Sequence, residues 1–256
     1  MRRRPRSDLN MPLMEHIKAL RRVLIIAAYA VAAGTVIGWF LSDQGFAFLA
    51  RPLLDVNRTL FITTTPLEPV LVKIKVSVVI GIVIALPVLM WQLWSFILPA
   101  LKQNERRYLY LLVPSSIILF LAGASFCFFV VLPIGIKFLI YAGGHAVPAT
   151  PFVTKTSYLN FILTFLLTFG LVFQLPIILL VLIRIGVLTP RALAKKRRWA
   201  LLIIIVLAAA FAPTPDLFTQ GLMAVPMYML YEVSIWLGYL VAHKRKKALA
   251  RKQDGT

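Results

Sequence analysis

The 28 Lys and Arg residues of this 256-residue chain are confined to short clusters that alternate with long apolar runs. Seven fall in residues 1–22, three in 102–107, six in 184–198 and six in 244–252; the remaining six are spread over the other inter-run segments. Alternation of basic-rich and basic-poor connections is the positive-inside pattern of a multi-spanning membrane protein. It also constrains the number of crossings. Six spans place all four rich segments on one face, whereas five or seven scatter them. The chain is 60% apolar with a formal charge of +19. A soluble nucleic-acid binder would carry such charge as one patch or stripe, so no nucleic-acid partner is expected.

Six apolar stretches stand out, at about 23–41, 76–98, 109–132, 159–183, 200–212 and 217–241. A helix needs roughly 20 residues to cross the hydrocarbon core. The fifth stretch is short, covering only about 20 Å as a helix. Either it starts earlier, with 195–199 snorkelling, or the bilayer thins around it. The expected fold is an all-α integral membrane protein of six kinked transmembrane helices, forming one transmembrane domain over 1–256 with a basic tail at 242–256. Both termini are expected on the cytoplasmic side. The opposite face is expected to hold two longer loops, about 42–75 and 133–158, and one tight turn at 213–216. No internal repeat of the kind common in transporters is visible. Arg21-Arg22 followed by an apolar run resembles a secretory signal, but the length of the run and the further spans favour an uncleaved first helix. Without an Arg- and Ser-rich leader, a bacterial or archaeal cytoplasmic membrane is the expected location. Cys127 is alone and lies within the third stretch, which excludes a disulfide framework.

Catalytic chemistry is not visible. His16, His145 and His243 lie in three different segments, so no metal site at ligand spacing is expected, and no phosphate-binding loop or nucleophile elbow occurs. The chain is read as a non-enzyme without cofactors. Attention falls instead on polar groups within apolar runs, which are costly in lipid and default to function: Gln92, Gln174, Gln220 and Glu232. Glu232, an acid inside a span, either snorkels or pairs with a neighbouring helix, or it serves function. Gln174 precedes Leu175-Pro176, so its amide either satisfies the carbonyl that the proline frees or faces a polar pocket. Pro87, Pro114, Pro176 and Pro226 predict kinks. Gly34, Gly81, Gly123 and Gly170 permit close packing or a groove.

Two segments on the basic face are more pointed. Residues 11–24 are expected to form a helix capped by Asn10, with Leu13, Ile17, Leu20 and Leu24 as one apolar stripe and Glu15, Lys18 and Arg22 opposite. It is either an interfacial anchor or part of a binding surface. In Lys102-Gln103-Asn104-Glu105-Arg106-Arg107, Glu105 either sits on the N-terminal dipole of the third helix, capped by Asn104, or presents a fixed anion suited to an incoming arginine.

Taken in order, the motifs resemble the TatC family, the multi-spanning subunit of the twin-arginine protein translocase, from about residue 11 to 241. They are Glu15-His16-Ile17 through Leu20-Arg21-Arg22, Arg51-Pro52-Leu53, and Gln92-Leu93-Trp94-Ser95-Phe96 running on to Glu105-Arg106-Arg107. Gly123-Ala124-Ser125-Phe126, Phe128-Phe129 and Pro133 follow, then Phe169-Gly170 with Phe173 and Pro176. Pro213-Thr214-Pro215-Asp216, Gln220, Pro226 and Leu230-Tyr231-Glu232 complete the set. The resemblance implies a concave body that receives folded cargo bearing twin-arginine signal peptides and exports it with the proton-motive force. The partners implied are signal peptides, single-span TatA/TatB-type subunits, other TatC copies and membrane lipid. It implies a recognition site at Glu105 with Phe96, Arg106 and Arg107, together with Glu15, His16, Leu20 and Arg21 of the first helix. Pro52, Pro215 and Asp216 are the corresponding structural residues on the opposite face. A guanidinium pairs with carboxylate in a two-toothed geometry that lysine cannot copy.

Two positions depart from the family pattern. Ala19 stands where a glutamate usually precedes the Leu-Arg of the first helix, and Gln174 stands where the fourth span usually carries glutamate. Glu15 is one turn before Ala19, roughly 6 Å away on the same stripe, and is the candidate to substitute in part. Two alternatives therefore stay open: a divergent TatC-like scaffold with weak signal recognition, and a small-solute or ion transporter.

Overall fold

The computed structural model describes residues 13–56, 61–97, 109–141 and 152–253. Within them run nine α-helices: α1 Leu13–Val56, α2 Glu68–Ile97, α3 Leu109–Phe126, α4 Leu132–Tyr141, α5 Lys155–Val172, α6 Leu175–Ile185, α7 Pro190–Lys195, α8 Arg197–Phe211 and α9 Leu217–Gln253. A π-helical turn, Cys127–Val131, joins α3 to α4, and two short strands, β1 Phe61–Ile62 and β2 Val153–Thr154, pair in parallel. Five continuous runs are long and apolar enough to cross a membrane: Ile17–Val56, Glu68–Phe96, Tyr110–Tyr141, Lys155–Ile185 and Leu217–Val241. The chain is an all-α integral membrane protein. The fifth apolar stretch is α8, 15 residues long, which rises only about 22 Å against a core of about 30 Å.

Both long loops expected from hydropathy are entered by helix from each side. α1 continues to Val56 and α2 begins at Glu68, so helix covers 42–56 and 68–75 of the expected 42–75 loop. At the other site, α4 runs to Tyr141 and α5 starts at Lys155. Hydropathy ends at the first charge, but a helix does not, because its backbone ladder is indifferent to side-chain polarity. Lys73 illustrates this. Its ammonium lies 3.2 Å from the Asp43 carboxylate and 5.3 Å from the Trp39 ring, so both charges sit on helices. The fourth stretch, by contrast, is two helices, broken at Phe173 and Gln174 ahead of Pro176. The expected cap Asn10, and Asn104 ahead of α3, lie outside the described residues.

The chain divides into two compact units. One comprises Met1–Phe46 and Lys73–Ile117, the other Ala47–Val72 and Ile118–Thr256. In the first, α1 meets α2 along a seam of small residues. A Cβ on Gly34 would stand 2.6 Å from the Gly81 carbonyl, and one on Gly38 would stand 2.4 Å from the Ser77 carbonyl. Lipid tails give no hydrophobic drive for helix association, so such backbone approach is what supplies the contact. Trp94, almost fully buried, donates from Nε1 to the Ser116 hydroxyl at 2.7 Å and so ties α2 to α3.

In the second unit, α3 and α5 exchange rings for glycines. Phe120 lies against Gly170, and Phe173 lies against Gly123, each so close that an added Cβ would come within 2.6 Å of a ring carbon. Phe126 adds tilted contacts to Phe169 and Phe173. The π-turn then inserts one residue before Pro133, with the Leu132 N–H donating to the Cys127 carbonyl. Such a turn spares the proline a clash with the preceding ladder. α9 packs against α6, α7 and α8. Gly186, at φ +89°, ends α6, and Thr189 with Pro190 restarts the chain as α7.

Gly170→Val must displace the Phe120 ring. The expected cost is about 1–3 kcal/mol, measurable as a lower melting temperature in detergent, while Gly221→Ala, whose Cβ meets nothing within 4 Å, should leave the melting temperature unchanged.

Candidate functional site

The candidate recognition residues all fall within the sequence ranges of the first unit. α1 carries Leu20 and Arg21 on exposed positions, and the stripe Ile17, Leu20 and Leu24 is 52%, 41% and 59% exposed. That stripe is open to lipid or a partner rather than folded into the unit. Glu15 and His16 fall in the first turn of α1, but their side chains lie outside the described residues. Phe96, near the end of α2, is half-buried. Glu105, Arg106 and Arg107 lie outside the described residues, so the geometry does not assemble the full set. Gln92 is half-buried on α2, in the turn that leads to Trp94.

The remaining candidates belong to the second unit. Glu232 resolves toward pairing with a neighbouring helix. Its Oε2 is 2.8 Å from the Arg197 guanidinium at the start of α8, and its Oε1 accepts from the Tyr228 hydroxyl at 3.0 Å. One turn of α9 and one end of α8 are thereby joined, and the Tyr231 hydroxyl adds a bond to the Leu193 carbonyl of α7. Gln220 donates to the Ile205 carbonyl of α8 at 3.2 Å. Gln174 is 1% exposed and sits at the break between α5 and α6, where its backbone carbonyl accepts from Ile178 N–H. A carboxylate at that depth would need a partner charge or a proton. An amide does not.

Asp216 opens α9. Its Oδ1 accepts from Thr219 N–H at 2.7 Å and its Oδ2 from the Thr214 hydroxyl at 2.6 Å. Partial burial pushes its pKa up, but these hydrogen bonds outweigh that and hold it below the usual aspartate value. Pro215 precedes it and fixes the backbone that enters the cap.

Two groups escaped the sequence reading. Pro52 lies inside α1, and the Tyr158 hydroxyl of α5 bridges its flanks, donating to the Leu49 carbonyl at 2.9 Å and accepting from Leu53 N–H at 3.2 Å. Glu68, at the start of α2, is 3% exposed. Its carboxylate accepts from Thr64 N–H at 2.8 Å, the Thr64 hydroxyl at 3.2 Å and Thr156 N–H at 2.9 Å. The signal for Glu68 was an acid beside Pro69 in a first helical turn. Nothing in composition indicates its burial.

Fold and polar inventory together define a polytopic membrane protein whose buried polar groups serve helix joints, with no His, Cys, Asp and Glu grouping able to hold a metal among the described residues. Comparison with known proteins narrows the class. The model of the family "Sec-independent protein translocase protein (TatC)" matches residues 15–226. The TatC protein of Aquifex aeolicus is 41% identical over 238 residues, covering 93% of this chain and 98% of its own length. TatCy of Bacillus subtilis is 34% identical over 245 residues, covering 95% of each. A crystal structure of the twin arginine translocase receptor TatC superposes with a TM-score of 0.80 at 41% identity, covering 89% of this chain and 99% of that one. The chain belongs to the TatC family, and protein translocation is the process in which that family acts.

Asp216→Ala removes a helix cap and should cost about 1 kcal/mol at neutral pH. Because the folded pKa is depressed, the stabilisation exists above the ordinary value of 3.8 and is lost as the pH falls below it. Melting curves of variant and parent should therefore converge in acid. Glu232→Gln, which breaks a partly exposed pair, should change stability by no more than about 1 kcal/mol in the same assay.

Proposed function

We propose that this protein is the receptor and core subunit of a twin-arginine translocase, in which residues of the first unit recognise the signal peptide. Membership in the TatC family over residues 15–226 is the observation that supports it most, since that range contains Glu15, His16, Leu20, Arg21, Phe96, Glu105, Arg106 and Arg107. The exposed face of α1 adds to it, because an apolar stripe beside Arg21 suits a signal peptide with an apolar core next to its charged end. Glu105 is the anion that meets the twin arginines. Around it the face is strongly basic and repels an arginine-rich peptide, so the carboxylate has to dominate at contact distance. Glu15 supplies part of what the absent carboxylate at Ala19 would give.

The chain sits in the cytoplasmic membrane of a bacterium or archaeon as one transmembrane domain. α8 counts as a sixth, short crossing, and both termini are cytoplasmic. Its partners are the signal peptides of folded cargo, single-span TatA/TatB-type subunits, further TatC copies and lipid. Export draws on the proton-motive force, and the protein itself catalyses no covalent chemistry.

Ala19 and Gln174 favour a second reading: a TatC-like scaffold that assembles partners but recognises signals weakly. Binding to a twin-arginine signal peptide in nanodiscs separates the two. The receptor reading requires that the twin-lysine peptide bind at least tenfold more weakly. Glu105→Ala should cost roughly ten- to a hundredfold, the loss of one charged hydrogen bond of about 1.5–3 kcal/mol. Glu15→Ala should cost a smaller factor. Equal affinity for both peptides would give the scaffold reading the lead.

A further inference from the structure

The first turn of α5 carries three separate attachments. The Thr156 N–H donates to the Glu68 carboxylate at the start of α2. The Tyr158 hydroxyl joins Leu49 and Leu53 across Pro52 of α1. Just ahead of the helix, Val153 and Thr154 pair with Phe61 and Ile62, whose Phe61 ring lies 5.3 Å from that of Tyr158. α1, β1, α2 and α5 thus converge on a few consecutive residues, all of them within the second unit.

The chemistry of each polar tie is specific. Proline has no N–H to give the carbonyl one turn back, so the ladder of α1 is weakest at Pro52. The Leu53 N–H and the Leu49 carbonyl are the pair that a regular α-helix would join directly. A phenol that accepts from one and donates to the other ties both groups of that turn to α5, and a ring without the hydroxyl would keep its packing and lose the tie. Glu68 does the equivalent for α2. Its buried carboxylate takes two backbone N–H groups and a hydroxyl in place of a cation, one of them from the first turn of α5, where a negative charge also complements the helix dipole. Leu53 and Tyr158 form part of the wall of a cavity of about 470 Å³ with Ile136, Phe161, Asn160 and Thr214, so the same bridge sets that wall.

The geometry points to Tyr158 and Glu68 as positioning residues of the export step: together they lock the Pro52 turn of α1 and the start of α2 to the first turn of α5, and export, rather than signal binding, depends on that lock. This rests on the translocase reading above. The lock lies in the second unit and the candidate recognition residues in the first, so the two activities separate by mutation. A merely structural contribution would instead lower protein level, binding and export in proportion.

The test uses full-length protein with its single-span partners in inverted membrane vesicles, comparing Tyr158→Phe, Glu68→Gln and the double variant with the parent. Twin-arginine peptide affinity and export of a reporter carrying that signal are measured per molecule of accumulated protein. Each single variant should export about threefold more slowly and the double at least tenfold more slowly, with peptide affinity within twofold of the parent. In detergent, exchange of the Leu53 amide should accelerate in Tyr158→Phe. Parental export rates in the double variant, or affinity and export falling together in the singles, would overturn the proposal. A parent that exports without arginine-selective binding overturns the receptor reading instead and leaves the export comparison able to decide this one.

Discussion

No water reaches the hydrocarbon core to satisfy a stray backbone group, so every N–H and C=O there must find its partner within the protein. That requirement makes the chain helical, and it also explains where the chain's polar residues stand. Three places where a proline interrupts the ladder show a local remedy. At Pro52 a tyrosine hydroxyl bonds a backbone group on either side. Before Pro133 the helix takes a π-turn that adds a residue. Ahead of Pro176 the helix stops, and Gln174 begins a new one. Pro52, Pro133 and Pro176 are thus matched to three different devices, and only one of the three borrows a side chain from a distant helix.

Packing follows from the same solvent. Because apolar side chains gain little by leaving lipid for protein, helices associate through close backbone approach and shaped van der Waals contact. The Gly34–Gly81 crossing and the reciprocal placement of Phe120 on Gly170 and Phe173 on Gly123 are two solutions to that problem. The first brings backbones together. The second uses glycines as sockets for rings, which fixes register along the helices as well as distance, since a ring fits only where the socket lies. Hydrogen bonds such as Trp94 to Ser116 then choose among nearby registers.

Much of this was legible from residue order. The alternation of basic clusters with apolar runs identified an all-α membrane protein, and the short 200–212 stretch is the short helix α8. Small residues at 34, 81, 123 and 170 marked real close approaches. Loop lengths were misjudged because Asp43, Arg51, Lys73 and Lys137 end a hydropathy window without ending a helix. The ties that Tyr158 and Glu68 make to other helices were invisible for a different reason: those bonds join groups more than 80 positions apart in sequence, and neither residue type at its position announces a distant backbone group. Glu232 was visible as an acid in a span, but only the fold supplies Arg197 as its partner.

Charge placement in the second unit follows the same constraint. Among the acids of the second unit, Glu68, Asp216 and Glu232 are each engaged by hydrogen bonds or a guanidinium from within that unit. An acid so engaged is a poor receptor for an incoming arginine, because capture would first require breaking bonds that hold helix ends in place. Under the proposed receptor function, recognition rests on acids outside that set, for which Glu15 and Glu105 are proposed. Replacing the intramembrane glutamate by Gln174 carries the same logic further. The amide keeps a hydrogen-bonding group at the α5–α6 break without placing a charge there that either a partner or a proton must neutralise. The α5–α6 joint thus stays neutral inside a unit where Glu68, Asp216 and Glu232 are each held by a neighbouring group.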